Sequence, residues 1–197
     1  TRFKCDWSSD VCSSDLARPG NITGCSSTGF SNFDHNHFWL FNKGCLQLGA
    51  YPDIPSLIEM TPVDVLARAI VALTLAPREG LAVRNLSNPR TLNMDDFFGY
   101  MGAQGFAVKS EAPEIWQQRL ATIDENNGLS QIKEFYTGDL STPPFPVEQS
   151  ETLTELSRLG ADFNADYATL FPVYVRYLKE MNFFQQSISI SEVERSR

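Results

Sequence analysis

The segment Ala17-Arg18-Pro19-Gly20-Asn21-Ile22-Thr23-Gly24 decides the fold prediction for this chain. It is typical of a strand that ends in a loop, because Pro and Gly mark a turn directly after an apolar start. Further along, the spacing of apolar residues predicts a helix over 34–48, with Gly49 as its C-terminal cap, and a short strand over 82–86. Strands and helices alternate first and helices dominate later. The pattern therefore predicts an α/β fold with a largely helical C-terminal part.

Helix starts are marked by capping signals, in which a Thr or Asn precedes an acidic residue by three positions. The pairs are Thr61 with Asp64, Asn93 with Asp96, and Thr152 with Glu155. Pro62 suits the first position of the helix after Thr61, and Pro113 predicts another helix that runs to Leu120. We predict a strand at 106–108 and a last helix over 172–181.

Composition excludes several classes of protein. The 197 residues carry a formal net charge of −8 and are 42% hydrophobic, which is enough for one real core. No apolar run reaches the roughly 18–20 residues of a membrane span, and no cluster of Lys and Arg suits nucleic-acid phosphates. The four cysteines have irregular spacing, which argues against a disulfide scaffold. We expect a soluble, cytoplasmic protein that binds neither nucleic acid nor membrane.

Both ends of the chain are expected to contribute little to the fold. The run from Asp6 to Leu16 (DWSSDVCSSDL) resembles the conceptual translation of a sequencing-adaptor oligonucleotide and has no helical or strand periodicity. We therefore expect residues 1–16 to be non-native and the native sequence to be cut at about Ala17. The alternative is a natural polar tail. Residues 185–197 have no pattern, and we expect a disordered tail there.

Two motifs suggest sites that we reject. The spacing Gly99-x-x-Gly102-x-x-Gly105 matches a dinucleotide phosphate loop, but these glycines follow a predicted helix and precede a strand, which is the reverse of the required order. Helix termination explains them better. Cysteine and histidine also occur in the pattern Cys-x9-His-x-His-x7-Cys, formed by Cys25, His35, His37 and Cys45. This spacing fits no usual zinc site, and Cys45 falls on an apolar helix face.

Four motifs resemble a known family in their order and spacing. They are Arg18-Pro19-Gly20-Asn21-Ile22-Thr23-Gly24, Lys43-Gly44-Cys45-Leu46-Gln47-Leu48-Gly49, Thr61-Pro62-Val63-Asp64 with Ala67-Arg68-Ala69-Ile70-Val71-Ala72-Leu73, and Asn85-Leu86-Ser87-Asn88-Pro89. The chain resembles the C-terminal half of thioester reductase domains, which release products from nonribosomal peptide and polyketide synthetases. Aminoadipate reductases and carboxylic acid reductases are close relatives of that family. The likeness covers residues 17–125 well and residues 126–184 loosely, as a helical C-terminal subdomain.

The resemblance implies a fold, a reaction and binding residues. The fold would be the C-terminal portion of a Rossmann-like extended short-chain dehydrogenase domain with a mostly helical substrate-binding subdomain. The reaction would be NADPH-dependent reduction of an acyl or peptidyl thioester, held on the phosphopantetheine of a carrier protein, to an aldehyde or alcohol. The turn beside the nicotinamide maps onto Pro19, Gly20, Asn21 and Ile22, where Pro and Gly let the backbone approach a ligand.

The acyl-pocket wall of the family maps onto residues 32–38. Its implied contacts with the acyl or phosphopantetheine chain are Asn32, Asp34 and His35. The alternative is that Asp34 caps the next helix and His35 is solvated.

The family's catalytic residues have no match in this sequence. Its glycine-rich phosphate loop and its Tyr-x-x-x-Lys pair would lie upstream of Pro19. We therefore expect no catalytic residue in this chain, weak or no NADPH binding, and no activity of the chain alone. Two alternatives remain open: another extended short-chain dehydrogenase, such as a nucleotide-sugar epimerase or fatty acyl reductase, and a non-catalytic module that docks a carrier protein.

Overall fold

The computed structural model describes residues 16–77 and 82–184. The strands are β1 (Leu16–Pro19), β2 (Ala50–Pro52), β3 (Val83–Leu86) and β4 (Lys109–Glu111). The helices are α1 (His37–Leu48), α2 (Val63–Leu75), α3 (Met94–Ala103), α4 (Pro113–Leu120), α5 (Ser150–Arg158) and α6 (Tyr167–Glu180). Nearly all of the adaptor-like segment, and the C-terminal tail at 185–197, lie outside the described residues.

Parallel pairing organises the strands. β1 pairs with β3 in a register that runs from Leu16 opposite Val83 to Pro19 opposite Leu86. β2 pairs with β4 in the same parallel sense. An isolated parallel bridge between Ile22 and Thr61 continues beyond the end of β1. The α/β class is confirmed, as is the strand over 82–86.

The prediction of a strand at 106–108 is wrong, because the chain there is still completing the C-terminal turn of α3. Gly105 adopts the left-handed conformation (φ 95°), and the Phe106 N–H donates to the carbonyl of Met101 at 3.0 Å. The Phe106 ring packs against Phe184, with centroids 4.3 Å apart. The strand therefore forms three residues later. Gly99 and Gly102 lie inside α3, so the structure confirms that this glycine spacing accompanies the end of a helix.

The caps of two helices follow the predictions. The Asn93 side chain accepts from the backbone N–H of Asp96 at the start of α3. Gly49 ends α1 in the left-handed conformation at φ 70°. The start of α1 differs from the prediction, because residues 33–35 form a separate 3-10 turn and Asn36 is the N-cap.

Three other helix starts were predicted wrongly, because tertiary contacts outweigh the local signals. Pro62, rather than Thr61, is the N-cap of α2, and the Asp64 carboxylate accepts from Ser26. α5 begins before Thr152, whose side chain is buried. α6 begins five residues before Pro172, since its first turns bury apolar side chains in the core.

Two apolar clusters hold these elements together. The larger cluster joins α1, α3, α4 and α6, and it is rich in aromatic rings such as Trp39, Trp116 and Tyr174. The smaller cluster lies between α2, β3 and α5; its buried members are Leu66, Ala69, Leu73, Leu86, Leu156 and Phe163. Residues after 125 contribute to both clusters, so α5 and α6 share cores with the strands and helices that precede them. None of the helices in the described part of the chain combines the length and apolarity of a membrane span.

Candidate functional site

The turn that follows β1 lies beside the loop that follows β3. Gly20 donates its backbone N–H to the carbonyl of Leu86 at 2.9 Å. A Cβ atom on Gly20 would lie 2.6 Å from the Cβ of Ser87, so the close approach of the two loops requires glycine. Because the strands are parallel, their carboxyl ends share one edge, which is where open α/β sheets bind ligands.

The Glu59 carboxylate accepts hydrogen bonds from the residues that form this edge. One carboxylate oxygen accepts the backbone N–H of Asn21, and the other accepts the Thr61 hydroxyl at 2.7 Å and the backbone N–H of Asn88 at 3.3 Å. Burial raises the pKa of Glu59, and these three hydrogen bonds oppose the shift without cancelling it. Sequence analysis missed Glu59, since no local motif includes it.

Asn88 connects the same edge to the C-terminal helices. Its side chain is buried, and its Nδ2 donates to the carbonyls of Met60 and Ala165, each at 3.1 Å. Its backbone N–H also donates to the Thr61 hydroxyl at 2.9 Å. The segment before α6 is thus tied directly to the sheet edge.

A cavity of about 430 Å³ opens next to this edge. Its walls come from the turn after β1, from α1, from residues 54–58, from the start of α3 and from the loop 136–144. The lining side chains are mostly apolar or aromatic: Phe38, Phe41, Ile54, Pro55, Leu57, Ile58, Met94, Phe97, Tyr136, Leu140 and Pro144. The volume falls in the range of small-molecule sites. Asn21 belongs both to the turn and to the cavity wall.

The polar groups of the cavity are few. His37 Nε2 lies 2.8 Å from the Tyr136 hydroxyl. Burial lowers the pKa of His37 and raises that of Tyr136, so both side chains are neutral near pH 7. Asp139 accepts the backbone N–H of Ser141, which lowers the pKa of its carboxyl and keeps it ionised. Asn21, Asn42, Ser56 and Thr142 complete the polar lining.

The predicted binding residues divide into two groups. Asn21 and Ile22 are exposed at the sheet edge, and Asn21 lines the cavity. Asn32, Asp34 and His35 are also exposed, but they lie in or next to the short turn before α1, and none of them lines the cavity. Their contact with substrate stays a prediction. The alternative role of Asp34 as helix cap is wrong, because Asn36 caps α1.

Residues of α1 reach the cavity instead, two of them within the implied segment 32–38 and two beyond it. They are His37, Phe38, Phe41 and Asn42. Of these, Phe38 and Phe41 belong to the apolar spacing that predicts the helix over 34–48, and no pattern in the sequence marked Asn42. Cys45, on the same helix, is fully buried in the larger cluster. Within residues 16–77 and 82–184, no three His, Cys, Asp or Glu side chains are grouped in a way that could hold a metal ion.

The fold and this site define an α/β domain of the Rossmann-like type, with a cavity of small-molecule size next to the carboxyl edge of its strands. Residues 10–70 match the NAD-binding family model described as "Male sterility protein". Over 183 residues the chain is 36% identical to L-2-aminoadipate reductase of Saccharomyces cerevisiae, a match that covers 85% of this chain and 13% of that protein. It is 27% identical over 125 residues to a linear gramicidin synthase of Brevibacillus parabrevis, covering 64% of this chain and 2% of that protein.

Solved structures of reductase domains have a similar fold. The terminal R domain of the myxalamid PKS-NRPS pathway superposes with a TM-score of 0.75 at 27% identity, over 85% of this chain and 44% of that domain. A thiolation-reductase di-domain from an archaeal nonribosomal peptide synthetase has the same fold, with a TM-score of 0.69 at 21% identity, over 86% of this chain and 36% of the di-domain. These findings confirm the resemblance: the chain corresponds to part of a thioester reductase domain of the extended short-chain dehydrogenase type. It spans about an eighth of the yeast relative and less than half of the myxalamid domain.

Proposed function

We propose that this chain forms the substrate side of an NADPH-dependent reductase that releases a carrier-protein-bound thioester as an aldehyde or alcohol. One observation carries the proposal: Asn21 lies in the turn at the carboxyl edge of β1 and also in the wall of the cavity. A nicotinamide at that edge and an acyl group in the cavity would therefore be neighbours, as hydride transfer requires.

The turn offers a partial fit to a nicotinamide cofactor. The Asn21 and Ile22 side chains are exposed at the edge of a parallel sheet, where such cofactors bind. Glu59 and Ser87 fill the space on the Cβ side of Gly20, and its N–H is donated to Leu86, so a cofactor would meet the carbonyl or the opposite face of this residue. When bound, the cofactor supplies the hydride. The chain's own contribution is to hold the turn in place through Glu59 and to keep the acyl group in a mostly apolar cavity.

The acyl thioester would enter from a carrier protein. The names of similar proteins, which include a thiolation-reductase di-domain, support that partner. The phosphopantetheine arm would then present the thioester carbon at the Asn21 end of the cavity. Of the predicted substrate contacts, the exposed Asn32, Asp34 and His35 would meet the arm outside the cavity.

The chain by itself is proposed to be inactive. The general acid of the resembled family comes from a Tyr-x-x-x-Lys pair, and this sequence contains no such pair. The measurement is NADPH oxidation, followed by its absorbance, with an acyl N-acetylcysteamine thioester, first with this chain and then with a complete reductase domain that carries it. Turnover by the chain alone would contradict this part of the proposal.

The cavity is tested by filling it in the complete domain. Thr142 lines the cavity, so Thr142→Trp should raise the KM for the thioester at least about tenfold and leave the KM for NADPH unchanged. The matched control is Thr154→Trp, on the exposed face of α5 and outside the cavity. Equal KM values for the two variants would remove the cavity from the proposal. A complete domain that binds carrier protein but never reduces the thioester would instead favour the alternative that the chain is part of a non-catalytic module that docks a carrier protein.

A further inference from the structure

Two threonines in the sequence are directly followed by proline. They are Thr61, before Pro62, and Thr142, before Pro143, and no other Ser or Thr in the chain has this neighbour. A Ser or Thr followed by Pro is the pattern that proline-directed protein kinases phosphorylate. The sequence alone does not separate the two threonines, but their surroundings in the structure are opposite.

Thr61 is closed to an enzyme. The residue is fully buried, and its hydroxyl donates to the Glu59 carboxylate at 2.7 Å and accepts the backbone N–H of Asn88 at 2.9 Å. Both hydrogen bonds belong to the sheet edge that holds the turn after β1. A kinase would therefore reach Thr61 only after this edge had opened.

Thr142 lies in an exposed segment of irregular backbone. Residues 141–148 are all exposed and form neither helix nor strand. Phe145 is 88% exposed, so its ring is not buried in either apolar cluster. The prolines at 143, 144 and 146 fix their own φ angles and disfavour helix in the residues before them. Such a segment suits a kinase, because a kinase binds its substrate as an open, non-helical chain.

The exposed segment is anchored at both ends. Gln117 Nε2 donates to the carbonyls of Tyr136 and Gly138, each at 2.8 Å. At the other end, Asn85 Nδ2 donates to the carbonyl of Glu148 at 2.7 Å. A kinase can therefore bind the residues between these anchors without unfolding the core.

We propose that Thr142 is a phosphorylation site of a proline-directed Ser/Thr kinase that uses ATP. In this step the Thr142 hydroxyl oxygen bonds to the γ-phosphorus of ATP, the bond from that phosphorus to the β-phosphate oxygen breaks, and ADP leaves. The hydroxyl proton passes to a base of the kinase.

The phosphate would lie in the wall of the proposed acyl cavity, since Thr142 and the carboxylate of Asp139 both line it. Phosphorylation adds a charge of about −1.5 to −2 at pH 7. None of the described residues that line the cavity is Lys or Arg, so the added charge has no cationic partner in that wall and repels anions. A phosphopantetheine arm carries a phosphodiester, and its binding would weaken. This consequence, unlike the site itself, rests on the proposed function.

The first experiment uses the folded 197-residue chain, Mg-ATP and a purified mitogen-activated protein kinase. Phosphate at each threonine is followed over time by peptide mapping and mass spectrometry. Synthetic peptides of residues 56–67 and 137–148 are treated in parallel and give the rate at each threonine without the fold. Relative to its peptide, Thr142 should keep at least about a tenth of its rate. Thr61 should lose at least about a hundredfold, because it reacts only in the small fraction of molecules that are locally open.

Either of two results overturns the proposal. If the fold slows Thr142 as much as Thr61, the exposed segment is not accessible to a kinase. If the 137–148 peptide itself accepts no phosphate, the assignment to this class of kinase is wrong.

Variants of the chain assign the phosphate to its residue. Pro143→Ala should remove most of the phosphorylation of Thr142, and Pro146→Ala, an exposed proline of the same segment, is the matched control that should keep it. Thr142→Ala should abolish modification of this segment, whereas Ser141→Ala should retain it. The reverse result for the last two variants would place the phosphate on Ser141 and overturn the proposal.

The second experiment measures the consequence in a complete reductase domain that carries this chain. After kinase treatment, the KM for an acyl thioester of phosphopantetheine should rise at least about threefold through charge repulsion. The KM for the N-acetylcysteamine thioester of the same acyl group, which has no phosphate, should rise less, and the KM for NADPH should not change. Kinase treatment of the Thr142→Ala domain is the control and should leave every KM at its value before treatment.

The modification site and the proposed function fail in different ways. Unchanged KM values after phosphorylation of Thr142 would overturn the effect on the arm. A domain that reduces neither thioester before treatment would contradict the proposed function, whereas phosphate at Thr142 of the isolated chain would still support the modification site.

Discussion

Gly20 and Glu59 occupy adjoining space so closely that a Cβ atom on Gly20 would overlap the carboxylate oxygen Oε1 of Glu59. The same oxygen accepts the backbone N–H of Asn21. The turn after β1 is therefore held against a carboxylate from a segment 38 residues away, and its shape depends on a residue that has no side chain.

Gly20→Ala should destabilise the chain by about 1–3 kcal/mol, because the methyl group has to displace Glu59 or the Ser87 loop. Urea denaturation followed by circular dichroism measures the change. Gly99→Ala is the control, since this exposed helical glycine has open space beside it and the change should stabilise by about 0.5–1 kcal/mol. Equal effects of the two variants would show that the crowding at Gly20 does not matter.

The stability of the chain should depend on the protonation of Glu59. Burial, the largest cause, raises its folded-state pKa above the unfolded value of about 4.3, so the native state binds the proton more tightly. The stabilisation is fully present below the unfolded pKa and is lost as the pH rises through the folded pKa. Relative to Glu59→Gln, the unchanged chain should lose stability over that interval, as measured by urea denaturation at a series of pH values. Parallel pH profiles for the two proteins would contradict this.

Asn88→Ala should cost about 2–3 kcal/mol, because it leaves the buried carbonyls of Met60 and Ala165 without their donor. Thermal denaturation at constant pH measures the loss. Asn85→Ala is the matched control: Asn85 donates to the carbonyl of Glu148 at a more exposed position, and its loss should cost about 1 kcal/mol or less. The reverse order of the two variants would mean that Asn88 does not join the sheet edge to the segment before α6.

Cys25 should react with iodoacetamide in the folded chain, whereas Cys45 should not. Hydrogen bonding with Ser27 is the largest cause that lowers the pKa of Cys25, to about 7. Complete burial raises the pKa of Cys45. Peptide mapping after brief alkylation should show that modification of Cys25 rises to half its maximum near pH 7. Alkylation of Cys45 at the same rate would mean that α1 opens readily, and denaturation in urea should make both cysteines reactive.

Much of the secondary structure could be predicted from short stretches of sequence. The Asn93 and Asp96 pair begins α3, and Gly49 ends α1, because in each case the partners lie within one helical turn. The same rules failed at Thr61 and Asp64. Their side chains bond instead to Glu59 and Ser26, which a reading of neighbouring positions does not take into account.

The candidate site was predictable only in part. The resemblance led to the turn at 19–22, and Asn21 is indeed at the junction of sheet edge and cavity. It gave the acyl wall as residues 32–38, of which only His37 and Phe38 line the cavity. The rest of the wall comes from segments far apart in the chain, such as 54–58 and 136–144, and no local pattern relates these segments to each other.

The sequence by itself determined the α/β class, the positions of several helix ends and the likeness to thioester reductases, since these depend on neighbouring residues and on motif order. Only the tertiary structure decided that Glu59 supports the turn at Gly20. It also decided that Asn42 Oδ1 and Ser56 Oγ, from two residues of the same cavity wall, have no hydrogen-bond partner. The physical reason is that burial and hydrogen bonding act between residues that folding brings together, whatever their separation along the chain.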